Sequence, residues 1–314
     1  MNKLLYVKWF VALLLFGVLL FLLFFAETSS FSSRSFRMAW NLGHVPLFIA
    51  FGYFVLRHFP VLKNKSLWQQ FAAMIFLSCL VGGSIELLQD IVGRQASLQD
   101  VMLDVTGGII AVLLFSGHIR QSTSWLKVIS TLLSVLLVLF AARSFVVSFW
   151  DEYKAREEFP LLADFENERE IQRWSSIEKM EITDELARYG LKSLKLGLTR
   201  RLYSGLELNY FPPDWSGFNF ISMHVYNPES TVVSLTVSIF DDKHHANKYA
   251  YSDRYTNRFQ LFHGWNEVKV SLSEVKQAPR TRLMNMHSVR GLRLFVVRPQ
   301  KIQHLYIDAI RLEE

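Results

Sequence analysis

Cysteine is almost missing. Cys79 is the single one in 314 residues, so no disulfide can close within the chain and thiol usage says nothing of redox compartment. Charge is scarce as well. Only 20% of residues are charged against 51% hydrophobic, which excludes an ordinary soluble domain, and 26 phenylalanines exclude a disordered or fibrous chain. No basic face with interleaved aromatics accompanies the net charge of +6, which argues against a nucleic-acid partner. From Asp151 onward there is no Gly-x-Ser-x-Gly, no P-loop, no HExxH and no dinucleotide glycine fingerprint. Asp241 and Asp242 are adjacent rather than spaced as a catalytic pair. These absences weigh against a hydrolase or a nucleotide enzyme in that half.

What is present is uneven. Up to Trp150 there are 11 Lys+Arg and 5 Asp+Glu; after it there are 23 of each, so the whole net charge sits in the apolar half. A bilayer core of ~30 Å needs about 20 apolar residues as a helix. Five segments qualify, at about 5–26, 38–57, 66–88, 101–119 and 128–150. The charge-free run Phe10–Ala26 exceeds the apolar core of a cleaved signal peptide, and no small-x-small site follows it, so it is read as an uncleaved span.

With the N-terminus cytoplasmic, the inner side holds Lys3, Lys8, Arg57, Lys63, Lys65, Arg120 and Lys127, and the outer side Arg34, Arg37 and Arg94. That imbalance obeys the positive-inside rule. An odd number of spans then places everything after Trp150 outside the cytoplasm. Trp9, Trp40, Trp68, Trp125 and Trp150 fall near span ends, as an interfacial aromatic belt requires.

Polar residues gather at the expected outer ends. Glu86, Gln89 and Asp90 lie at i, i+3 and i+4, one helical face. Ser97, Asp100 and Asp104 share another face, with Ser97 and Asp100 spaced as a capping box and Gly107–Gly108 allowing close helix approach. Ionisable groups within spans usually face the bundle interior and mark a site. The expected pocket holds His44, Glu86, Gln89, Arg94, Asp100 and Asp104, and such a group can transfer protons or hold a cation or a lipid headgroup. The plainer alternative is that Ser97 and Asp100 are caps and that Glu86 pairs with Arg94. His44 alone beside carboxylates does not make a zinc site, since zinc takes three or four ligands, His and Cys foremost.

The order NLGHVPLFIAFGYFVLR, then SIELLQDIVGRQASLQDVMLDVTGGIIAVLL, resembles the VanZ-like family of small membrane proteins. His44, Glu86, Gln89, Arg94, Ser97, Asp100, Asp104 and Gly107 match its pattern over about residues 5–120. One departure is Trp40-Asn41-Leu42-Gly43, where the family often has an Asp-Lys pair before the His. The family is named for a role in resistance to the glycopeptide teicoplanin. The resemblance therefore implies cell-envelope work and a place in the cell (inner) membrane, without supplying a reaction.

The second half reads as a separate domain. A charged segment, 151–163, suits a juxtamembrane linker, and 164–314 shows period-2 runs parted by turn residues. These include LKSLKLGL (191–198), YSGLELNYF (203–211), FNFISMHVY (218–226), TVVSLTVSIF (231–240), GLRLFVV (291–297) and QHLYIDAIRL (303–312). Such runs predict an antiparallel β-sandwich. The expected fold is thus a membrane α-helical bundle of five transmembrane helices, residues 1–150, followed by an all-β extracytoplasmic sandwich.

Asp164-Phe-Glu166, Trp174, Gly190–Lys195, Gly264–Val268 and Tyr306-Ile-Asp308 together resemble galactose-binding-like jelly rolls of the carbohydrate-binding-module kind. That resemblance implies a structural Ca²⁺ with Glu166 and Asp308 among its ligands. Sugar recognition needs aromatic faces and polar groups. Tyr249, Tyr251, Asp253 and Tyr255, with Trp215, form the expected glycan edge. His244–His245 is not a metal pair, because neighbours on a strand face opposite ways. The functional expectation is a non-catalytic, VanZ-like envelope protein that contacts membrane lipid and binds polysaccharide or a lipid-linked glycan, with a link to glycopeptide resistance or envelope maintenance. The alternative is a membrane enzyme or transporter acting on a lipid headgroup or lipid-linked precursor through the acidic pocket.

Overall fold

The structure, a computed structural model, describes residues 33–91 and 97–314, without the side chain of Asp90. The first expected span (5–26) and Arg94 lie outside the described residues. The chain divides into two compact units, with the boundary between Ser148 and Phe149.

Four segments of the described residues are long and apolar enough to cross a membrane: Arg34–His58, Leu67–Gln89, Leu98–Arg120 and Ser124–Glu158. The first comprises α1 (Arg34–Asn41) and α2 (His44–His58). Ser33 caps α1, its hydroxyl accepting the amide of Phe36 at 3.2 Å. Phe59 is extended and Pro60 opens the short α3 (Pro60–Lys63), where its missing N–H costs nothing. The side chain of Gln70, on α4 (Leu67–Ile91), donates to the carbonyls of Leu62, Lys63 and Lys65, satisfying groups the end of α3 would leave bare. Next come α5 (Leu98–Phe115), α6 (Gly117–Arg120) and α7 (Ser124–Glu158).

Small residues let α5 pack against α2 and α4. A Cβ on Gly52 would stand 2.4 Å from that of Ala111, one on Gly107 would meet the Val45 carbonyl at 2.6 Å, and one on Gly108 would meet Ser78 Oγ at 2.4 Å. Lipid offers no hydrophobic gain for helix association, so such close backbone approach does that work through van der Waals contact. The side chains of Leu132, Leu136, Leu139 and Phe140 on α7 are exposed, as lipid-facing positions are.

The segment expected to be a linker is regular structure instead. Residues 151–158 continue α7, because Asp-Glu-Tyr-Lys-Ala-Arg-Glu-Glu is rich in good helix formers and Lys154 pairs with Glu157 at 2.8 Å. Leu161–Ala163 then forms β1 and pairs with the last strand.

The second unit contains two antiparallel sheets. The first runs β3 (Met180–Thr183), β4 (Ser193–Leu198), β11 (Gln303–Glu313), β6 (Phe220–Asn227) and β9 (Gly264–Ser271), with β1 also on β11. The second runs β2 (Trp174–Ser175), β5 (Tyr203–Leu208), β10 (Val289–Val297), β7 (Val233–Asp241) and β8 (Tyr255–Leu261). Alternate residues fill the layer between them. Leu194, Leu196, Ile221, Met223 and Ile307 from one sheet meet Leu208, Leu235, Val237, Ile239, Leu292 and Leu294 from the other, all fully buried. Each such side chain contributes about 1.5–3 kcal/mol of burial. Two helices, α8 (Lys243–Ala246) and α9 (Leu272–Gln277), lie in the connections.

Candidate functional sites

Three helix ends meet in the membrane unit: the start of α2, the last turns of α4 and the first turns of α5. The sequence placed one polar group set on each. His44 Nδ1 lies 2.8 Å from Asp104 Oδ1, and both side chains are buried, at 3% and 0% exposure. A buried carboxylate holds the proton on Nδ1, which leaves Nε2 as the nitrogen free to take a proton or a ligand. Room for Asp104 comes from Gly82, where a Cβ would sit 2.2 Å from Asp104 Oδ2.

Glu86 is also buried. Its Oε2 accepts the amide of Ser97 at 2.7 Å. Ser97 in turn caps α5, its hydroxyl accepting the amide of Asp100 at 3.3 Å, and Asp100 sits in the first turn, where the helix dipole favours an anion. A ring nitrogen of His44, a carboxylate oxygen of Glu86 and one of Asp100 all lie within 4.8 Å of one another. Glu86 Oε1 and Asp104 Oδ2 are buried with no hydrogen-bond partner. Gln89 is buried one turn beyond Glu86. The structure thus gathers His44, Glu86, Asp100 and Asp104, and it says nothing of Arg94. Spacing alone could not show the His44–Asp104 bond between residues sixty apart.

The second site lies on the face of the β2-β5-β10-β7-β8 sheet that points away from the core. The register Leu292↔Leu208, Arg293↔Glu207, Phe295↔Gly205 and Val297↔Tyr203 sets leucines inward and these partners outward. Glycine shapes this face. A Cβ on Gly205 would meet Phe295 Cβ at 2.5 Å, and one on Gly291 would meet the Phe240 ring at 2.1 Å, so neither position has room for a side chain. A groove of about 390 Å³ results, lined by Ser175, Tyr203, Gly205, Leu206, Glu207, Arg254, Arg293 and Phe295.

Its rings and charges are arranged rather than scattered. Tyr203 is 60% exposed and meets Phe295 edge-on at 5.7 Å. Arg293 donates to Glu207 at 2.7 Å and lies over the Phe240 ring at 4.7 Å. The Arg254 guanidinium stacks on Tyr251 at 5.3 Å, and its Nε is buried with no hydrogen-bond partner. Burial, with the Arg293 charge nearby, pulls Arg254 below the usual guanidinium range.

The expected glycan edge is only partly available. Tyr249 and Tyr251 are exposed, at 55% and 69%. Tyr255 is turned into the core opposite Ile239. Trp215 is fully buried against Phe211, its indole N–H donating to the Pro212 carbonyl at 3.1 Å, so it presents no face to a sugar. Asp253 is buried in an ion pair with Arg282, Nε to Oδ1 2.7 Å, and that guanidinium holds its carboxyl down to about 2. Arg282 also clamps Asp241 through both terminal nitrogens. The alternation at 249–255 is not a strand edge, because Lys248 and Tyr249 have positive φ and Tyr251–Asp253 is a 3-10 turn. Sequence reading missed Tyr203, Glu207, Arg254, Arg293 and Phe295. The signal was present in YSGLELNY, whose residues 203, 205 and 207 alternate with buried 204, 206 and 208.

Glu166 and Asp308 grip one loop. Glu166 Oε1 accepts the amides of Leu191 and Lys192, at 2.7 and 2.9 Å. Asp308 Oδ2 accepts those of Arg188 and Tyr189, at 2.7 and 3.0 Å. Burial pushes the Asp308 carboxyl up, against the pull of those amides. Asp308 Oδ1 is buried without a partner, an open lone pair that suits a cation.

Comparison with known proteins gives a family-model match within the first unit and distant structural neighbours. Residues 8–121 match the family model VanZ/LLP1, the stretch over which the sequence resembles that family. No curated protein matches the chain. Among solved structures, the chain is similar to the family 11 carbohydrate-binding module from Clostridium thermocellum in complex with a beta-1,3-1,4-mixed-linked tetrasaccharide, at 13% identity and TM-score 0.37, over 49% of this chain and 94% of that one. It is similar to an exo-beta-agarase at 16% identity and TM-score 0.39, over 49% and 24%. It is also similar to the CBM22-1 xylan-binding domain from Paenibacillus barcinonensis Xyn10C at 16% and TM-score 0.34, over 48% and 92%.

Proposed function

We propose, with the VanZ/LLP1 match over residues 8–121 as premise, that this is an envelope membrane protein whose β-sandwich holds a carbohydrate outside the cytoplasm. The observation that carries the reading is the groove over Gly205. An exposed Tyr203 and the Phe295 ring offer apolar faces to a sugar ring, while Glu207, Arg293 and the Arg254 guanidinium offer hydrogen bonds to hydroxyl or acidic groups. In this reading Tyr251 belongs to the rim, through its stacking with Arg254, and Tyr249 is a nearby exposed ring. Glu166 and Asp308 hold the 188–192 loop in register and are the residues that would ligate a structural Ca²⁺.

The test is binding of the detergent-purified full chain to immobilised envelope polysaccharides and lipid-linked saccharides. Retention by at least one glycan class is expected, and Tyr203→Ala with Phe295→Ala is expected to weaken it by about tenfold or more. Absence of binding to every class overturns the reading. So does undiminished binding by the double variant.

A second reading is supported by the buried His44–Asp104 pair and the open oxygen of Glu86. Here the membrane unit acts on a lipid headgroup or lipid-linked precursor, and the sandwich recruits it. Loss of the cellular phenotype in Glu86→Gln, at normal protein levels, is the outcome that supports it. Full function of that variant removes it. The match of residues 8–121 to VanZ/LLP1 also supports a link to glycopeptide resistance, and the excess of Lys and Arg on the side assigned inside supports a cytoplasmic N-terminus. A C-terminal alkaline phosphatase fusion tests the placement; activity is expected, and a silent fusion alongside a fluorescent cytosolic tag reverses it.

A further inference from the structure

We propose that His44, Glu86 and Asp100 bind one divalent transition-metal ion, and that Asp104 is the positioning residue that aims His44 at it. Four observations converge on this. The first is distance. Ligand atoms arranged tetrahedrally on one ion with bonds near 2.1 Å lie about 3.4 Å apart. The three ligand atoms here lie within 4.8 Å of one another, so side-chain movements of about 1 Å close the site.

The second is the Asp104–His44 hydrogen bond at 2.8 Å. Metal-ligating histidines donate their other ring N–H to a carboxylate, which fixes the tautomer and makes the free nitrogen a better ligand. Asp104 has no other side-chain duty among the described residues, and Gly82 keeps the space it occupies. The third is Glu86. One oxygen is engaged by the Ser97 amide and the other is buried with nothing to accept from. A buried acceptor left open costs free energy that a cation removes. The fourth is charge. Glu86 and Asp104 each keep a buried oxygen without a donor inside a membrane-spanning unit, where a +2 ion offsets their charge.

The ligand types indicate the ion. One imidazole with two carboxylates suits Zn²⁺ or Mn²⁺; Ca²⁺ and Mg²⁺ prefer all-oxygen shells. Three protein ligands also leave a position for water or for an oxygen of a phosphate headgroup, the arrangement of a working rather than a purely structural site. The sequence alone set His44 among acids without a ligand count; the fold supplies the three ligands. This inference rests on the second reading above and deepens it. Metal content is measured without any substrate, so the ion can be present even if no headgroup is turned over, and a phenotype can depend on Glu86 with no ion bound.

The experiment uses the full chain in detergent, stripped with EDTA and reloaded with Zn²⁺ or Mn²⁺, with bound metal read by plasma mass spectrometry. About one ion per chain is expected. Glu86→Gln and Asp100→Asn keep shape and lose a charge; each is expected to weaken binding by more than about 100-fold, and Asp104→Asn by about 10–100-fold with full occupancy at saturating metal. Glu181→Gln, an acid of the other unit that pairs with Lys179 at 2.9 Å, is expected to change nothing. Because a variant can fail to fold, pulsed electron paramagnetic resonance on the Mn²⁺-loaded wild type provides a second measurement, with the ¹⁴N coupling of one imidazole expected. Occupancy well below one in the wild type, wild-type affinity in both Glu86→Gln and Asp100→Asn, or a Mn²⁺ signal without nitrogen coupling each overturns the proposal.

Discussion

The acids buried in the Arg282 and Arg173 ion pairs and those of the membrane site are treated in opposite ways. In the second unit, Arg282 lies between Asp241 and Asp253, and Arg173 donates to Asp151 at 3.0 Å. In the helical unit, Glu86 and Asp104 meet one imidazole and one backbone amide, and each keeps an oxygen with no donor. A buried charge matched by its opposite holds a fold in one arrangement. A buried charge with open lone pairs is maintained against its own desolvation, and an occupant explains that where packing does not.

Breaking the matched set is expected to have the largest effect. Arg282→Met leaves two buried carboxylates uncompensated and is expected to cost about 3–5 kcal/mol in the second unit. Pulse proteolysis of the intact chain across a urea series measures it. A midpoint within error of wild type makes the cluster decorative and dissolves the contrast.

Next in size is Gly82→Ala. Its Cβ would stand 2.2 Å from Asp104 Oδ2 and 3.1 Å from Asp104 Cγ, so Asp104 leaves His44 or α4 moves away. Overpacking of this kind costs about 1–3 kcal/mol, read as a lower melting temperature in detergent. No change there means the acid has free room and is not positioned.

A smaller, pH-dependent effect belongs to Glu170. Its Oε2 accepts the amides of Asp164 and Phe165, at 3.1 and 3.0 Å, yet burial outweighs these and raises its carboxyl to about 7. The folded state therefore binds a proton more tightly than the unfolded one. The stability this contributes is fully present below the ordinary value of 4.5 and is lost as pH rises through about 7. Glu170→Gln, which cannot ionise, is expected to gain on wild type in melting temperature as pH is raised across that window. A gap independent of pH refutes it. The smallest effect is expected for Gly83→Ala, next to Gly82 but with nothing within 4 Å of the added methyl; it is expected to be neutral or to stabilise α4 by up to about 1 kcal/mol.

Much of the helical unit could be read before folding, because lipid imposes long charge-free runs. The run Ser66–Ile85 holds all of α4 but its last two turns, and those turns carry Glu86 and Gln89. The end of α7 could not be read this way. Its polarity changes at Asp151 while its helix propensity does not, and composition registers only the first. Strands of the sandwich were legible from alternation, with β5, β7, β10 and β11 found within a few residues. Which aromatics are exposed was not. Trp215 follows Pro212-Pro213-Asp214, a surface-type turn, but the turn folds its indole inward, and only three-dimensional packing shows that. In the membrane site, i, i+3 and i+4 spacing placed each polar set on a face. The partnership of His44 with Asp104 depends on how α2 packs on α5, which the small residues Gly107 and Ala111 permit but do not announce.

The bond from the Ser97 amide to Glu86 makes the beginning of one helix depend on the end of another. Ser97 also anchors the turn that carries Asp100. If the opening turn of α5 frays, Glu86 is released and Asp100 swings away in the same movement. The two acids are thus dismantled together, and thermal breathing at that tip acts as a single latch on the whole polar cluster.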